Sequence, residues 1–152
     1  MNDIRTGTIS ITGLAELEKN LLAFPDKIAK RILSGAIRAG AVVIQKEARN
    51  LAPVSDAPHK LGKGSKAVII NPGHLKRNIK VRLAPRKSRT VPIEYWVYVS
   101  GKAWYWKFVE FGTSKMSGQP FMRPAFDGNK AEALERIKEY LAARIDKEAA
   151  KS

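Results

Sequence analysis

The sequence predicts an α+β fold, an antiparallel three- to four-stranded sheet packed by one long helix in the N-terminal half and by a C-terminal helix. Three patterns carry that expectation. Between residues 25 and 51, Leu33, Ile37, Ala41, Ile44, Ala48 and Leu51 recur at steps of four, four, three, four and three, an apolar stripe along five helical turns. Ile79, Val81 and Leu83 alternate with Lys80 and Arg82, and a run of β-formers at 93–100 follows a basic turn, as paired antiparallel strands would. Leu134, Ile137, Leu141 and Ile145 then mark the buried face of a last helix.

Taken in order, Thr8-Ile9-Ser10-Ile11-Thr12 alternates as a half-buried strand does and stops at Gly13. Leu14, Leu17, Leu21 and Leu22 fall at helical spacing until Phe24-Pro25 interrupts them, because proline disfavours a helical residue before it. Pro25 suits the first turn of the long helix, whose solvated side carries Lys27, Lys30, Arg31, Arg38, Lys46 and Arg49. Ala52-Pro53 ends it. Proline and glycine at 53, 58, 62, 64, 72 and 73 predict a long mobile loop over 54–72, relieved only by the apolar 67–70. The aromatic stretch 104–111 fits a short helix or a third strand equally well. Gly112-Thr113 breaks it, Gly118 and Pro120 keep the next piece irregular, and 121–126 is an apolar knot. The last helix is expected near Asn129, with Glu132 as its capping-box partner and 146–152 as a frayed tail. With no repeat and no boundary, 1–152 reads as a single domain, long enough to bury roughly two-thirds of its unfolded surface.

Composition narrows the function. Twenty-eight Lys and Arg against fourteen Asp and Glu give +14 and a pI near 10.2, which implies an acidic partner. The absence of cysteine excludes disulfides, thiol nucleophiles and Cys-based metal sites. His59 and His74 lack HExxH spacing, and no glycine-rich phosphate loop is present. A paired-carboxylate site would have to draw on isolated acids such as Glu94 and Glu110. The expectation is therefore no enzyme, metal, cofactor or small-molecule substrate. No apolar run reaches membrane-spanning length and no signal segment opens the chain, so it reads as soluble and made in a cytoplasm.

Ten cations, Lys60, Lys63, Lys66, Lys76, Arg77, Lys80, Arg82, Arg86, Lys87 and Arg89, stand between residues 57 and 93 with no acid among them. A charge run is ordinarily a solvated surface. Here its contiguity, with Lys80 and Arg82 on one side of a strand, favours contact with a DNA backbone or with an acidic protein ring. No helix-turn-helix, zinc-finger or aromatic RNA-binding pattern accompanies it, so such contact would not be sequence-specific.

The run 104–111 is far more aromatic than the chain as a whole. Core packing is the ordinary role for Tyr105, Phe108 and Phe111. Eight adjacent residues cannot all point inward, so some of Trp104, Trp106 and Phe111 should face a subunit interface. Glu110 is costly to bury alone; it pairs with a cation, Arg123 being nearby, or sits at an interface. Gly112 serves a backbone turn.

Tyr105-Trp106-Lys107-Phe108-Val109-Glu110-Phe111-Gly112-Thr113 followed by Gln119-Pro120-Phe121-Met122-Arg123-Pro124-Ala125-Phe126 resembles the HK-ninety-seven gp-ten-like family of tailed-phage neck, tail-completion and minor-tail-Z-like proteins. Gly13-Leu14-Ala15-Glu16-Leu17, Ala48-Arg49-Asn50-Leu51-Ala52-Pro53 and Gly73-His74-Leu75-Lys76-Arg77-Asn78-Ile79 match it too, so the resemblance spans about 8–145. About twenty residues separate Pro53 from the Gly73 segment, more than is usual in the family, which suggests a contact particular to this phage.

The resemblance implies a non-enzymatic virion part at the head–tail junction or tail end, made in the bacterial host cytoplasm. It implies a homo-oligomeric ring around the DNA channel, neighbouring neck or tail proteins as partners, and contact with packaged DNA, without membrane or cofactor. On this reading Trp104, Tyr105, Phe108, Glu110, Phe111, Gly112, Thr113, Pro120, Phe121, Arg123 and Pro124 form the structural and inter-subunit anchor. The basic 60–89 segment meets DNA or the next ring. The alternative is a stand-alone, non-specific DNA-binding module using that same segment.

Overall fold

The structure, a computed structural model, describes residues 13–89 and 91–151. The strand expected at 8–12 lies outside them. A short helix α1 (Leu14–Leu22) precedes the long α2 (Asp26–Leu51), with Pro25 fixing the turn between them as N-cap. Two small antiparallel hairpins follow. The first pairs β1 (His59–Leu61) with β2 (Val68–Ile70), and the second pairs β3 (Ile79–Leu83) with β4 (Tyr95–Val99) in the register Val81↔Val97. Between them lies the one-turn α3 (His74–Arg77). Helix α4 (Trp106–Phe111) and the long α5 (Met122–Ala149) complete the chain.

The fold class is α+β; among the described residues the strands form two sheets of two strands each rather than a single three- to four-stranded sheet. The chemistry at one edge of the second sheet explains part of this. Ser100 N–H bonds the Asn78 carbonyl at 2.8 Å, so the next carbonyl, that of Ile79, faces the opposite edge. There it accepts from Gln45 Nε2 at 2.9 Å and from the Arg49 guanidinium at 2.8 and 3.2 Å, both on α2. Side chains of α2 thus hold an acceptor that another strand would otherwise use. Arg49, expected on the solvated side of α2, is one of them.

Residues 54–72, expected as a loop, contain the β1–β2 hairpin, because the apolar 68–70 found a partner in His59-Lys60-Leu61. Stretch 104–111 resolves as helix α4 rather than a third strand. Helix α5 begins seven residues before Asn129 and runs through Ala149, past the expected frayed start at 146. Asn129 is not a cap: its Nδ2 donates to the Ala125 carbonyl one turn back, at 2.9 Å.

Two apolar clusters sit along α2. Its N-terminal half packs Ile32 and Ala36 against Leu21 of α1 and against Leu141 and Ile145 of α5. Its C-terminal half packs Ala48 with Ala52, Leu75, Ile79, Ala103, Phe121 and Ala125. The buried line on α2 is therefore Ile32, Ala36, Gly40, Ile44 and Ala48, one residue off the expected stripe through Leu33, Ile37 and Ala41; Leu51 is exposed. Leu33 and Ile37 set the phase of the expected stripe, whereas α5 approaches over the small Ala36 and Gly40. A Cβ on Gly40 would stand 2.7 Å from Ile137 Cγ1 and 3.0 Å from the Ala133 carbonyl oxygen.

Gly40→Val is accordingly expected to destabilise by about 1–3 kcal/mol through overpacking. Gly128, also helical but with nothing within 4 Å of a Cβ, gives the contrast. Gly128→Ala should stabilise by roughly 0.5–1 kcal/mol, since glycine is a poor helix former. Urea midpoints for the two variants check both signs.

Candidate functional site

The segment from α4 into α5 is organised by one carboxylate. Glu110 lies in the last turn of α4 and is only 6% exposed. Its Oε2 accepts from the backbone N–H groups of Phe121 at 2.8 Å and Met122 at 3.0 Å, and its Oε1 from that of Arg123 at 3.1 Å. These are the first N–H groups of α5, which lack partners inside any helix. The next residue, Pro124, has no N–H to satisfy, and Ala125 N–H already reaches the Phe121 carbonyl at 3.3 Å. The N-terminus of α5 is thus fully bonded from a distance. The carboxylate in turn gains three charge-assisted bonds and the favourable end of the helix dipole.

This corrects the expected pairing of Glu110 with the Arg123 side chain. Arg123 contributes its main chain, and its guanidinium faces Asp127 at 3.9 Å on the surface. A signal for this existed in the sequence. No Ser, Thr, Asp or Asn stands at position 121, so the N-terminus of α5 had no local cap and needed a remote acceptor.

Two glycines place that acceptor. Gly112 ends α4 at φ +77°, and a Cβ on it would stand 2.6 Å from Gly118 N. A Cβ on Gly118 would meet the Phe111 carbonyl carbon at 2.9 Å. The two backbones cross in contact, fixed by Gln119 N–H to the Val109 carbonyl at 2.7 Å and by the Thr113–Met116 bridge. Thr113, Pro120 and Pro124 lie exposed along this crossing, while Phe121 turns inward with no exposed surface.

The aromatic side chains divide. Trp106 and Tyr105 are partly buried against the cluster around Phe121. Trp104 faces outward, as does Phe111 at 75% exposure; Phe108, expected in the core, is exposed too. α4 is too short to bury two faces: Glu110 and Val109 turn toward α5, so Phe108 and Phe111 turn away. Trp104 packs edge-on against both Tyr105 and Phe108, with ring centroids about 6 Å apart. Beside them an apolar groove of about 380 Å³ runs between the β1–β2 hairpin, α3 and α4, with Leu61, Ile70, Phe108 and Met116 among its walls. Within it His74 Nδ1 and the Tyr105 hydroxyl are 2.8 Å apart. Burial pushes the Tyr105 hydroxyl above its usual range and the Arg77 guanidinium pulls it partly back, so the phenol keeps its proton.

The ten cations do not act as one strip. Lys60 stands on β1, and Lys63 and Lys66 lie in the turn that follows it. Lys76 and Arg77 stand on α3, and Arg77 donates to the Pro72 carbonyl at 3.1 Å. Lys80 and Arg82 share the face of β3 that points away from Val81, and Arg82 lies over the rings of Trp96 and Tyr98 at 5.3 and 4.6 Å. Arg86 and Lys87 form the turn after β3, and Arg89 is tied to the Ala84 and Pro92 carbonyls at 2.6 and 3.2 Å. Sequence reasoning missed that Lys27, Lys30 and Arg31 of α2 join Arg86 and Arg89 around one cleft. They are distant in sequence, and only the packing of the second hairpin on α2 unites them.

Glu94 and Glu110 serve different local structures: Trp96 Nε1 donates to Glu94 Oε1 at 2.6 Å, while Glu110 caps α5. Among the described residues, no group of three or more His, Asp or Glu could hold a metal ion, and no helix is long and apolar enough to cross a membrane. The family model described as "Bacteriophage HK97-gp10, putative tail-component" matches residues 15–112, well over half of the chain, and the protein belongs to that family. The match takes in both hairpins, Glu110 and Gly112, and ends before the N-terminus of α5 that Glu110 caps. No curated protein and no solved structure matches the chain.

Proposed function

We propose that the protein is a tail-completion or head–tail joining component that assembles as a homo-oligomeric ring around the DNA channel of a tailed phage. Family membership supports a structural role in the tail. The observation that carries the finer reading is the outward display of Trp104, just before α4, and of Phe108 and Phe111 on α4, the helix that Glu110 ties to the start of α5. Exposed aromatic rings on a rigid support are what a subunit interface uses as anchors. Every copy in a ring presents two different surfaces to its neighbours, so an aromatic anchor on one meets another region of the next. The basic side of each copy then meets packaged DNA or an adjoining acidic ring.

Assembly tests this. Trp104→Ser with Phe111→Ser leaves the buried clusters untouched, so the variant should fold normally and stay monomeric. It should fail to complete tails in a particle-assembly assay. Rings seen by electron microscopy for the unaltered protein but not for the variant would support the proposal; rings from both would remove these residues from the interface. The alternative, a stand-alone DNA-binding module, is favoured by the basic cleft alone. It requires an unaltered protein that binds duplex yet never enters particles.

A further inference from the structure

We infer that the cleft between the first turns of α2 and the β3–β4 hairpin is a seat for the phosphate backbone of duplex DNA. This deepens the reading of the protein as a conduit component by assigning DNA contact to one part of its basic surface. The cleft encloses about 770 Å³. Lys27, Lys30 and Arg31 stand on one wall and Arg86 and Arg89 on the other, and no Asp or Glu is among the described residues that line it.

Among the described residues, two of its cations have acidic partners. Asp26 is 3.9 Å from Lys30, and Glu148 is 3.2 Å from Arg31. They temper the charge without cancelling it, because among the described residues Lys27, Arg86 and Arg89 have no acidic partner within ion-pair distance. Arg89 is the fixed point. Its Nε and one terminal nitrogen are held by the Ala84 and Pro92 carbonyls, which uses up donors but not charge, so its cation is oriented before any ligand arrives.

The shape selects the partner. Cations on two facing walls suit a continuous line of like charge passing between them, which is what a phosphodiester strand offers. Among the described residues of the lining Ser34 carries a hydroxyl, and it is already 3.0 Å from the Tyr95 hydroxyl. The described lining is otherwise cationic or apolar, with no amide or carboxylate side chain to read bases, so the contact is independent of sequence. The β1–β2 hairpin, with Lys60, Lys63 and Lys66 on an exposed ribbon rather than in a cleft, supplies a charge-matched control.

The test is a salt titration of binding to a fluorescent duplex by the full-length protein, repeated with Lys27→Ser/Lys30→Ser/Arg86→Ser and with Lys60→Ser/Lys63→Ser/Lys66→Ser. All six positions are exposed, so both triple variants should keep the circular dichroism of the parent. Each lost phosphate contact lowers the slope of log K against log salt by about 0.9, so the cleft variant should lose about 2.7 and the hairpin variant far less. Arg86→Glu alone should shift the curve in the same direction.

Equal losses in the two triple variants would overturn the assignment, leaving only diffuse charge. Binding of polyglutamate but not duplex, abolished by the cleft substitutions, would overturn it in favour of an acidic protein. Particle assembly by the same variants separates the two levels of the reading. A cleft variant that completes tails but binds duplex more weakly keeps both. An unaltered protein that binds duplex but never enters particles keeps the cleft and sinks the ring.

Discussion

Replacing Glu110 with alanine is expected to cost about 3 kcal/mol or more. The substitution strips the acceptor from three N–H groups at once, and one of them belongs to Phe121, which has no exposed surface. A hydrogen bond to a charged group contributes roughly 1.5–3 kcal/mol, and a buried donor left without a partner costs its desolvation in full. The three terms overlap because they share one carboxylate, so their sum is an upper bound.

Glu110→Gln keeps the shape and one acceptor oxygen but turns an NH₂ group toward backbone donors; about 1–2 kcal/mol is expected there. The decisive comparison is Arg123→Ala. If Glu110 worked through an ion pair with the Arg123 side chain, the two alanine variants would resemble each other. Because Arg123 bonds Glu110 only through its main chain and its guanidinium lies exposed beside Asp127, Arg123→Ala should stay within about 0.5 kcal/mol of the parent. Urea unfolding at unchanged slope measures both, and faster amide exchange at Phe121, Met122 and Arg123 in Glu110→Ala would localise the loss.

What the sequence could and could not reveal follows the range of the interactions involved. Patterns governed by neighbours within one turn or one strand were legible: α1, the extent of α2, and the β3–β4 pairing with Lys80 and Arg82 on one face. Features set by packing between distant elements were not. The rotation of α2 toward Ala36 and Gly40 is decided by how closely α5 can approach, and no periodicity of large residues reports it. The capping-box pattern at Asn129 points to a late start for α5, while the real cap is a carboxylate eleven residues upstream of Phe121. At the candidate site, Glu110 and Gly112 stand out as unusual residue types in a tight aromatic run, whereas Phe121 is singled out by the family resemblance. The cleft joining α2 to Arg86 and Arg89 depends on tertiary contact, and charge counting along the chain could not find it.

Phe121→Ala is expected to cost about 3–5 kcal/mol, the range for removing a large aromatic side chain from a packed core. The local surroundings argue for the upper half. Four of the six other buried residues of the cluster are Ala48, Ala52, Ala103 and Ala125, whose side chains have no rotamer by which to fill a void. Ala48, Ala52 and Ala125 lie on or next to long helices whose spacing is fixed further along by Gly40, so the backbone cannot close the gap cheaply. A residual cavity then adds to the lost transfer energy at about 24 cal/mol per Å³.

For a chain of this length each kcal/mol lowers the melting midpoint by about 2–4 °C, so a drop near 10 °C or more should be seen. Phe121→Leu, which keeps most of the volume, should lose less than half as much. The double variant with Glu110→Ala should fall short of the sum, because a helix start already freed from its cap no longer holds the ring in place. Strict additivity would mean that the cap and the ring stabilise α5 independently, and the account of this segment as one clasp would fail.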